Sequence, residues 1–485
     1  MDTLNAIISS INGFAWGGFM ILFLVGTGVI LTLGTRVVQF RRLGYAFKLL
    51  FSKQHAGDGD ITPFQALMTS LAATIGTGNI AGVATAIAAG GPGAVFWMWV
   101  TAAFGGATKY SEALLAIKYR TTNERGEKSG GPMYYIKLGM RDRFGGNFAW
   151  LGWLFAFFGF FASFGIGNMV QANSVAESLQ TTFGIDPKIS GIFIAIAVAL
   201  VILGGIKSIA NVTDKIVPAM AVIYIIGALI VLFNKSAMIP AAFSMIFSNA
   251  FTAKAVGGGL IGTVIRFGVA RGVFSNEAGL GSAPIAHAAS KNNDPVKQGI
   301  IGSLGSFLDT LVVCTMTALV ILVSGLIEIG TDKVMMITTT TGNLVKVTEI
   351  PSAGTEAYAT FVSQFGKPLT GAALTTTAFS KSLVGFGSFI VSFGLVFFAF
   401  STILGWYYYG SKCLEYIAGV KIIVLYKIAW ISLCWIGAFI PLRFVWNISD
   451  TFNGLMAIPN LIALLTLSPL IFKMTSDYER REKRR

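Results

Sequence analysis

Histidine and cysteine are nearly missing from this chain, with two His and three Cys in 485 residues. No His-Glu-x-x-His occurs, and two histidines offer no Ser-His pair or metal cluster, which argues against an intramembrane enzyme. Cys314, Cys413 and Cys434 sit in or beside apolar segments, so neither a disulfide framework nor a zinc site is expected. Charge is also scarce. Only 12% of residues are Asp, Glu, Lys or Arg, about half the usual share of roughly 25% in soluble domains. The first apolar run lacks a basic stretch before it and is long enough to stay as an anchor, so no cleavable signal is expected.

What the chain does have is apolar length. Hydrophobic residues make up 54%, and several runs exceed the roughly 20 residues that cross a bilayer. The composition is that of an all-α polytopic membrane protein, with lipid as its first partner. Eleven spans are expected, near 16–37, 62–90, 93–118, 147–178, 188–207, 213–234, 257–290, 295–329, 382–410, 421–440 and 453–474. With the N-terminus outside, the inner loops with their span ends, Lys473 and the basic tail 475–485 hold 24 of the 36 Lys and Arg residues and the outer loops eight. That bias predicts N-out, C-in. It also accounts for the net charge of +14 without nucleic acid. The tail reads as topology and contact with anionic lipid.

The outer segment 330–381 is long. Two β-prone runs flank Gly342-Asn343, a hairpin signal, and 355–365 reads as a short helix. Together they predict an external cap.

Two spans carry polar interruptions. The second contains Ile75-Gly76-Thr77-Gly78-Asn79. The seventh contains "RGVFSNEAGLGSAP", with polar atoms and glycine concentrated at Phe274–Gly281. Glycine weakens a helix by about 1 kcal/mol relative to Ala, and backbone groups freed at membrane depth cost several kcal/mol unless something satisfies them. Small-residue runs also serve as close-packing faces, and for the first break alone that reading stands beside a binding one. The arithmetic of spans favours binding. Residues 62–234 hold five spans and 235–474 five more, each set opening with its broken helix. Because five is odd, the second set starts from the opposite face. Such inverted repeats point to a secondary transporter. Residues 1–61 then form an extra helix and an inner loop.

"GGPGAVFWMWVTAAFG" (90–105), "TIGTGNIAGVATAI" and "GVFSNEAGLGSAPIAHAA" resemble the alanine or glycine:cation symporter family over nearly the whole chain. The resemblance implies the five-plus-five leucine-transporter-like fold behind one extra helix. It also implies symport of alanine or glycine with Na+ across the cell membrane. A zwitterionic substrate needs N–H donors for its carboxylate and acceptors for its ammonium. Half-helix N-termini supply the donors, so the backbone of Gly76, Thr77 and Gly78 is expected at the carboxylate. Asn79 has an amide that can serve either ligand. The carbonyls of Phe274, Ser275 and Asn276 are the expected acceptors. Sodium takes hard oxygen ligands, and the implied site pairs the Ala72 and Ile75 carbonyls with the Ser401 and Thr402 hydroxyls. In membrane helices such hydroxyls also bond their own i−4 carbonyl.

Several side chains keep two readings. An ionisable group at this depth is a functional hypothesis by default. Glu277 either faces the substrate amine or braces the break, by pairing with Arg271 or by hydrogen bonds. Phe164, Asn168 and Gln171 fall near one helical face. Gln171 either reaches the substrate or makes an interhelical hydrogen bond worth about 0.6–2 kcal/mol. Trp406 either walls the pocket or joins Tyr407–Tyr409 in an interfacial belt. Trp97 and Trp99 read as belt or packing. Asp309 either joins an ion site or bonds neighbouring backbone, Glu112 has no assigned role, and His287 reads as a bonded structural histidine. The expected function is sodium-coupled symport of a small neutral amino acid by alternating access. Its rivals are a proton-coupled or other small-solute carrier of the same fold, and a channel.

Overall fold

In a computed structural model that describes residues 2–52, 57–251, 262–329, 335–347, 350 and 355–484, the first broken helix opens on a capping box. Thr62 Oγ1 accepts the Gln65 N–H and Gln65 Oε1 accepts the Thr62 N–H, both at 3.1 Å, with Pro63 in the first turn. The helix runs Pro63–Thr74, unwinds, and resumes as a wide π-helical turn, Gly78–Gly82, then Val83–Gly90. Its two halves are bent by 53°.

Six described helices are long and apolar enough to cross a membrane, or seven with this bent pair. They include Ser10–Gly34, Gly205–Asn234, Pro295–Val323 and Gly387–Ala418. Three shorter apolar helices, Pro187–Ile202, Ser236–Ala250 and Ile423–Gly437, lie among them. The protein is therefore an integral membrane protein. The third expected span is the helix Ala94–Lys118. The seventh is two pieces, Thr263–Asn276 and Ala283–Ala288. Its expected start at 257, together with Lys53, Lys254, Lys333 and Arg485 of the charge count, lies outside the described residues.

Three expectations need correcting. The first span begins earlier than 16, because Ser10–Gly34 reads as one apolar stretch. The ninth starts at Gly387 and runs on to Ala418. The fourth contains a π-helical turn, Gly165–Met169, between Ala149–Phe164 and Val170–Phe183. One extra residue in a turn rotates everything beyond it relative to what precedes.

The segment 330–381 forms the expected hairpin. Met335–Thr338 pairs antiparallel with Leu344–Lys346, with Thr338 opposite Leu344, and Gly342 turns the chain at φ +87°. A third strand, Ile327–Ile329, pairs with Met335–Thr338. The short helix is Glu356–Phe365. A second helix, Gly371–Ser382, was not expected there. It reaches the first break, where Thr375 Oγ1 donates to Ile80 O at 2.9 Å.

Near the start of the first broken helix, the chain is tied to the end of the second. Asp60 N–H and Ile61 N–H both donate to Ala289 O (2.8 and 3.1 Å), and Lys291 N–H donates to Ile61 O (2.7 Å). Gly59 permits this approach, since a side chain there would collide with Ser290. Arg120 adds bonds to Ala288 O (3.2 Å) and Ser290 O (2.6 Å). Burial pushes the Asp60 carboxyl above the usual carboxylate range, while the Lys128 N–H that it accepts at 2.8 Å pulls the other way.

Candidate functional site

At the first break the Gly76 N–H, which would have closed a helical turn on Ala72 O, donates instead to Asn79 Oδ1 at 2.9 Å. Ala72 O is thereby released from the helix. Thr402 Oγ1 lies 3.1 Å from Ala72 O and 3.5 Å from Ile75 O, and Ser401 Oγ lies 3.4 Å from Ala72 O. Both hydroxyls also touch Phe398 O at 2.9 Å. Four hard oxygens thus converge between the first broken helix and Gly387–Ala418, which is a fitting donor set for a small cation. The i−4 bond to Phe398 O is present as well, so the two readings of Thr402 coexist.

Thr77 and Gly78 start the second half-helix, where N–H groups lack intrahelical partners. Of the three expected donors, Gly76 is already engaged by Asn79. A Cβ on Gly78 would lie 3.5 Å from Phe274 Cδ1 and from Ser275 Cα, so the two breaks lie side by side.

The second break mirrors the logic of the first. Thr263–Asn276 ends in Glu277, held at φ +56°, a conformation uncommon outside glycine. The three N–H groups that would have continued the helix go elsewhere. Ala278 N–H donates to Asn276 Oδ1 (3.0 Å), Gly279 N–H to Glu112 Oε1 (3.2 Å) and Leu280 N–H to Glu277 O (3.2 Å). The carbonyls of Phe274, Ser275 and Asn276 consequently lose their helical donors and remain as acceptors.

Asp309 joins the two breaks. It sits in a π-helical stretch, Phe307–Cys314. Its Oδ1 accepts Asn79 Nδ2 at 2.7 Å, and its Oδ2 accepts Ser275 Oγ at 2.8 Å and Thr310 Oγ1 at 2.7 Å. Asn276 Nδ2 donates to Thr310 Oγ1 at 3.2 Å. Both ends of the Asn79 amide are therefore spent within the protein, and its role here is to hold the break.

Gln171 reaches the site. Its Nε2 donates to Ile166 O (2.8 Å) and Thr77 Oγ1 (3.3 Å), and its buried Oε1 has no partner among the described residues. Phe164 and Asn168 do not. The π-helical turn carries them to Ile423–Gly437, where Asn168 Nδ2 donates to Trp430 O at 2.8 Å and Phe164 packs on Tyr426 and Trp430.

Trp406 Nε1 donates to Glu277 Oε1 at 3.0 Å, and Ser282 Oγ donates to Glu277 Oε2. Glu277 thus braces the break. Arg271 is not its partner and lies over the Phe274 ring instead. Trp406 and Tyr407–Tyr409 are all buried, so the belt reading fails. Trp97 and Trp99 donate to Ala250 O and Thr315 Oγ1. His287 Nδ1 meets Gln298 Nε2 at 2.8 Å, as a structural histidine would. All three cysteines are free and buried.

The sequence reading passed over Lys109, which lies three residues before Glu112 and is 2% exposed. A lysine inside an apolar run was signal enough. It also passed over Thr317, whose Oγ1 donates to Asn79 O at 2.8 Å.

Interrupted helices side by side in an integral membrane protein, with backbone donors on one and acceptors on the other, suit a carrier rather than an enzyme. The chain belongs to the sodium:alanine symporter family, whose pattern matches residues 1–485. The sodium/alanine symporter AgcS of Methanococcus maripaludis is 52% identical over 480 residues, covering 99% of this chain and 98% of that protein. The putative sodium/proton-dependent alanine carrier protein YrbD of Bacillus subtilis is 35% identical over 486 residues, covering 98% and 93%. Among solved structures, a substrate-bound, outward-open Na+-coupled sialic acid symporter superposes with a TM-score of 0.50 at 11% identity, covering 94% of this chain and 98% of that one. That likeness is one of fold.

Proposed function

We propose that this protein carries alanine or glycine into the cell together with sodium, by alternating access. The observation that carries the reading is the pair of breaks facing each other: open N–H groups at Thr77 and Gly78, and freed carbonyls at Phe274, Ser275 and Asn276. A bound amino acid would place its carboxylate on the first set and its ammonium on the second. Gln171 Oε1 is available to the ammonium, and Trp406 bounds the space for the side chain. Sodium would sit among the oxygens of Ala72, Ile75, Ser401 and Thr402. Both ligands then share the stretch 72–79, so each raises the affinity of the other, typically by about 1–3 kcal/mol.

The same reading takes the chain as eleven spans: one extra helix, then 62–234 and 235–474 as inverted repeats. It places the N-terminus outside, the C-terminus in the cytoplasm and the protein in the cell membrane. A cavity of about 110 Å³ lined by Arg266, Arg271, Phe274 and Asp450 would then lie on the outer side of the site.

A second reading, proton coupling, is favoured by three buried acids, Glu112, Glu277 and Asp309. Uptake of labelled alanine and glycine into proteoliposomes, with sodium and pH gradients imposed independently, separates the two. A sodium gradient alone is expected to drive accumulation, and accumulation that needs only a proton gradient would overturn the sodium reading. Thr402→Ala removes one ion ligand while its neighbours stay. It should raise the sodium concentration for half-maximal uptake by about tenfold or more. An unchanged sodium dependence would remove Thr402 from the site.

A further inference from the structure

Lys109 stands outside the site just described, in the interior of Ala94–Lys118. Its Nζ is buried and has no hydrogen-bond partner among the described residues. Two more buried atoms have no partner among the described residues: Glu112 Oε2 on the same helix and His287 Nε2 on Ala283–Ala288. Glu112 stands one helical turn from it on the same helix and accepts the Gly279 N–H of the second break, two residues from Glu277. Gly302 lies against both Lys109 O and His287 Nε2, Tyr135 reaches Glu112 through Asn460, and Tyr409 packs on Trp406, the donor to Glu277. Pro295–Ser306 makes room for the ammonium. A Cβ on Gly305 would lie 3.3 Å from Nζ, and one on Gly302 would lie 3.5 Å from His287 Nε2.

The acids around Lys109 hold the second break open. Glu112 Oε1 accepts Gly279 N–H and Asn460 Nδ2, the latter at 2.7 Å, and Glu277 accepts Trp406 Nε1 and Ser282 Oγ. Buried carboxylates without a counter-charge are relieved in general by taking up protons. A cation anchored beside them removes that need.

We propose that Lys109 is a tethered cation of the carrier, whose ammonium offsets Glu112 and Glu277 so that the second break stays unwound without a proton travelling alongside the solute. Lys109 is a positioning residue in this scheme: it touches neither solute nor sodium, and it acts through the two acids. The inference rests on the transport reading and deepens it, because it makes sodium the sole coupling ion.

Four proteins test it: wild type, Lys109→Arg, Lys109→Met, and Lys109→Met combined with Glu112→Gln. Sodium-driven uptake of labelled alanine is measured from about pH 5.5 to about pH 8.5. Wild type and Lys109→Arg should keep flat profiles. Lys109→Met should lose about tenfold or more at the alkaline end and recover towards the acid end, where a proton replaces the missing charge. The double variant should regain most of the loss at every pH, because one positive and one negative charge leave together. A flat profile for Lys109→Met, whether at wild-type or reduced rate, overturns the proposal. So does a double variant that folds or transports no better than the single one. Melting the same proteins in detergent across that pH range gives a readout independent of transport. Absence of alanine uptake by wild type would therefore sink the transport reading while the stability of the variants still decides the role of Lys109.

Discussion

Asp309→Ala is expected to reduce sodium-driven uptake to below about 1% of wild type and to destabilise the fold by about 3–5 kcal/mol. The carboxylate accepts Asn79 Nδ2 from the first break, and Ser275 Oγ from the second. It also accepts its neighbour Thr310 Oγ1. Each such hydrogen bond is worth about 0.5–3 kcal/mol, and removing the acceptor leaves the donors buried without partners. Asn79 would then be free to turn, and with it the acceptor that keeps Gly76 N–H away from Ala72 O. The first helix could rewind, closing the Ala72 carbonyl proposed for sodium and with it the stretch that both proposed ligands share. Asp309→Asn keeps the shape and part of the bonding, so its loss should be smaller. Uptake and thermal unfolding in detergent, measured on both variants, check this. Wild-type transport by Asp309→Ala would show that the breaks hold without their shared acid.

Gly76→Val is the second large effect. A Cβ at Gly76 would sit 2.5 Å from Thr402 Oγ1 and 3.6 Å from Gln171 Oε1. That single atom already displaces the hydroxyl proposed for sodium, and two further carbons would fill the space beside the Gln171 amide. Overpacking of this kind typically costs about 1–3 kcal/mol, so the protein should still insert and fold. Uptake should nevertheless fall to roughly 5% or less, because both ligands lose their places at once. Gly76→Ala should fall between, with a weakened response to sodium. Titrating uptake against sodium and alanine separately distinguishes loss of one ligand from loss of both. A valine variant with unaltered half-saturation for either would disconnect Gly76 from the site.

Much of this is legible in the sequence itself. Glycines and an asparagine inside an apolar run mark a helix that cannot run straight, and the hairpin at Gly342-Asn343 follows from turn chemistry. The hidden parts share physical causes. Phe164, Asn168 and Gln171 look coplanar at 3.6 residues per turn, but the wide turn at Gly165–Met169 separates Gln171 from the other two. Trp406-Tyr407-Tyr408-Tyr409 resembles an interfacial girdle. The helix continues to Ala418, however, and neighbouring helices cover those rings. Gly371–Ser382 was missed because its run of Thr residues disfavours helix locally, whereas packing on the first break supports it. Asp309 was visible as an intramembrane acid, but which partners it would gather was decided by pairings across more than 30 positions in the chain.

The main-chain tie from Asp60 and Ile61 to Ala289 and Lys291 restricts how the molecule can change shape. Bonds between backbones cannot be swung aside by a rotamer change, so the two ends they join either part completely or travel together. If they travel together, those ends of both interrupted helices act as one lever, with Gly59 and its close neighbour Ser290 at the joint. In the proposed transport cycle, release on that face would then be a tilt of the lever away from Gly387–Ala418. The two halves would not separate, and the oxygens supplied by Ser401 and Thr402 would stay behind with the scaffold.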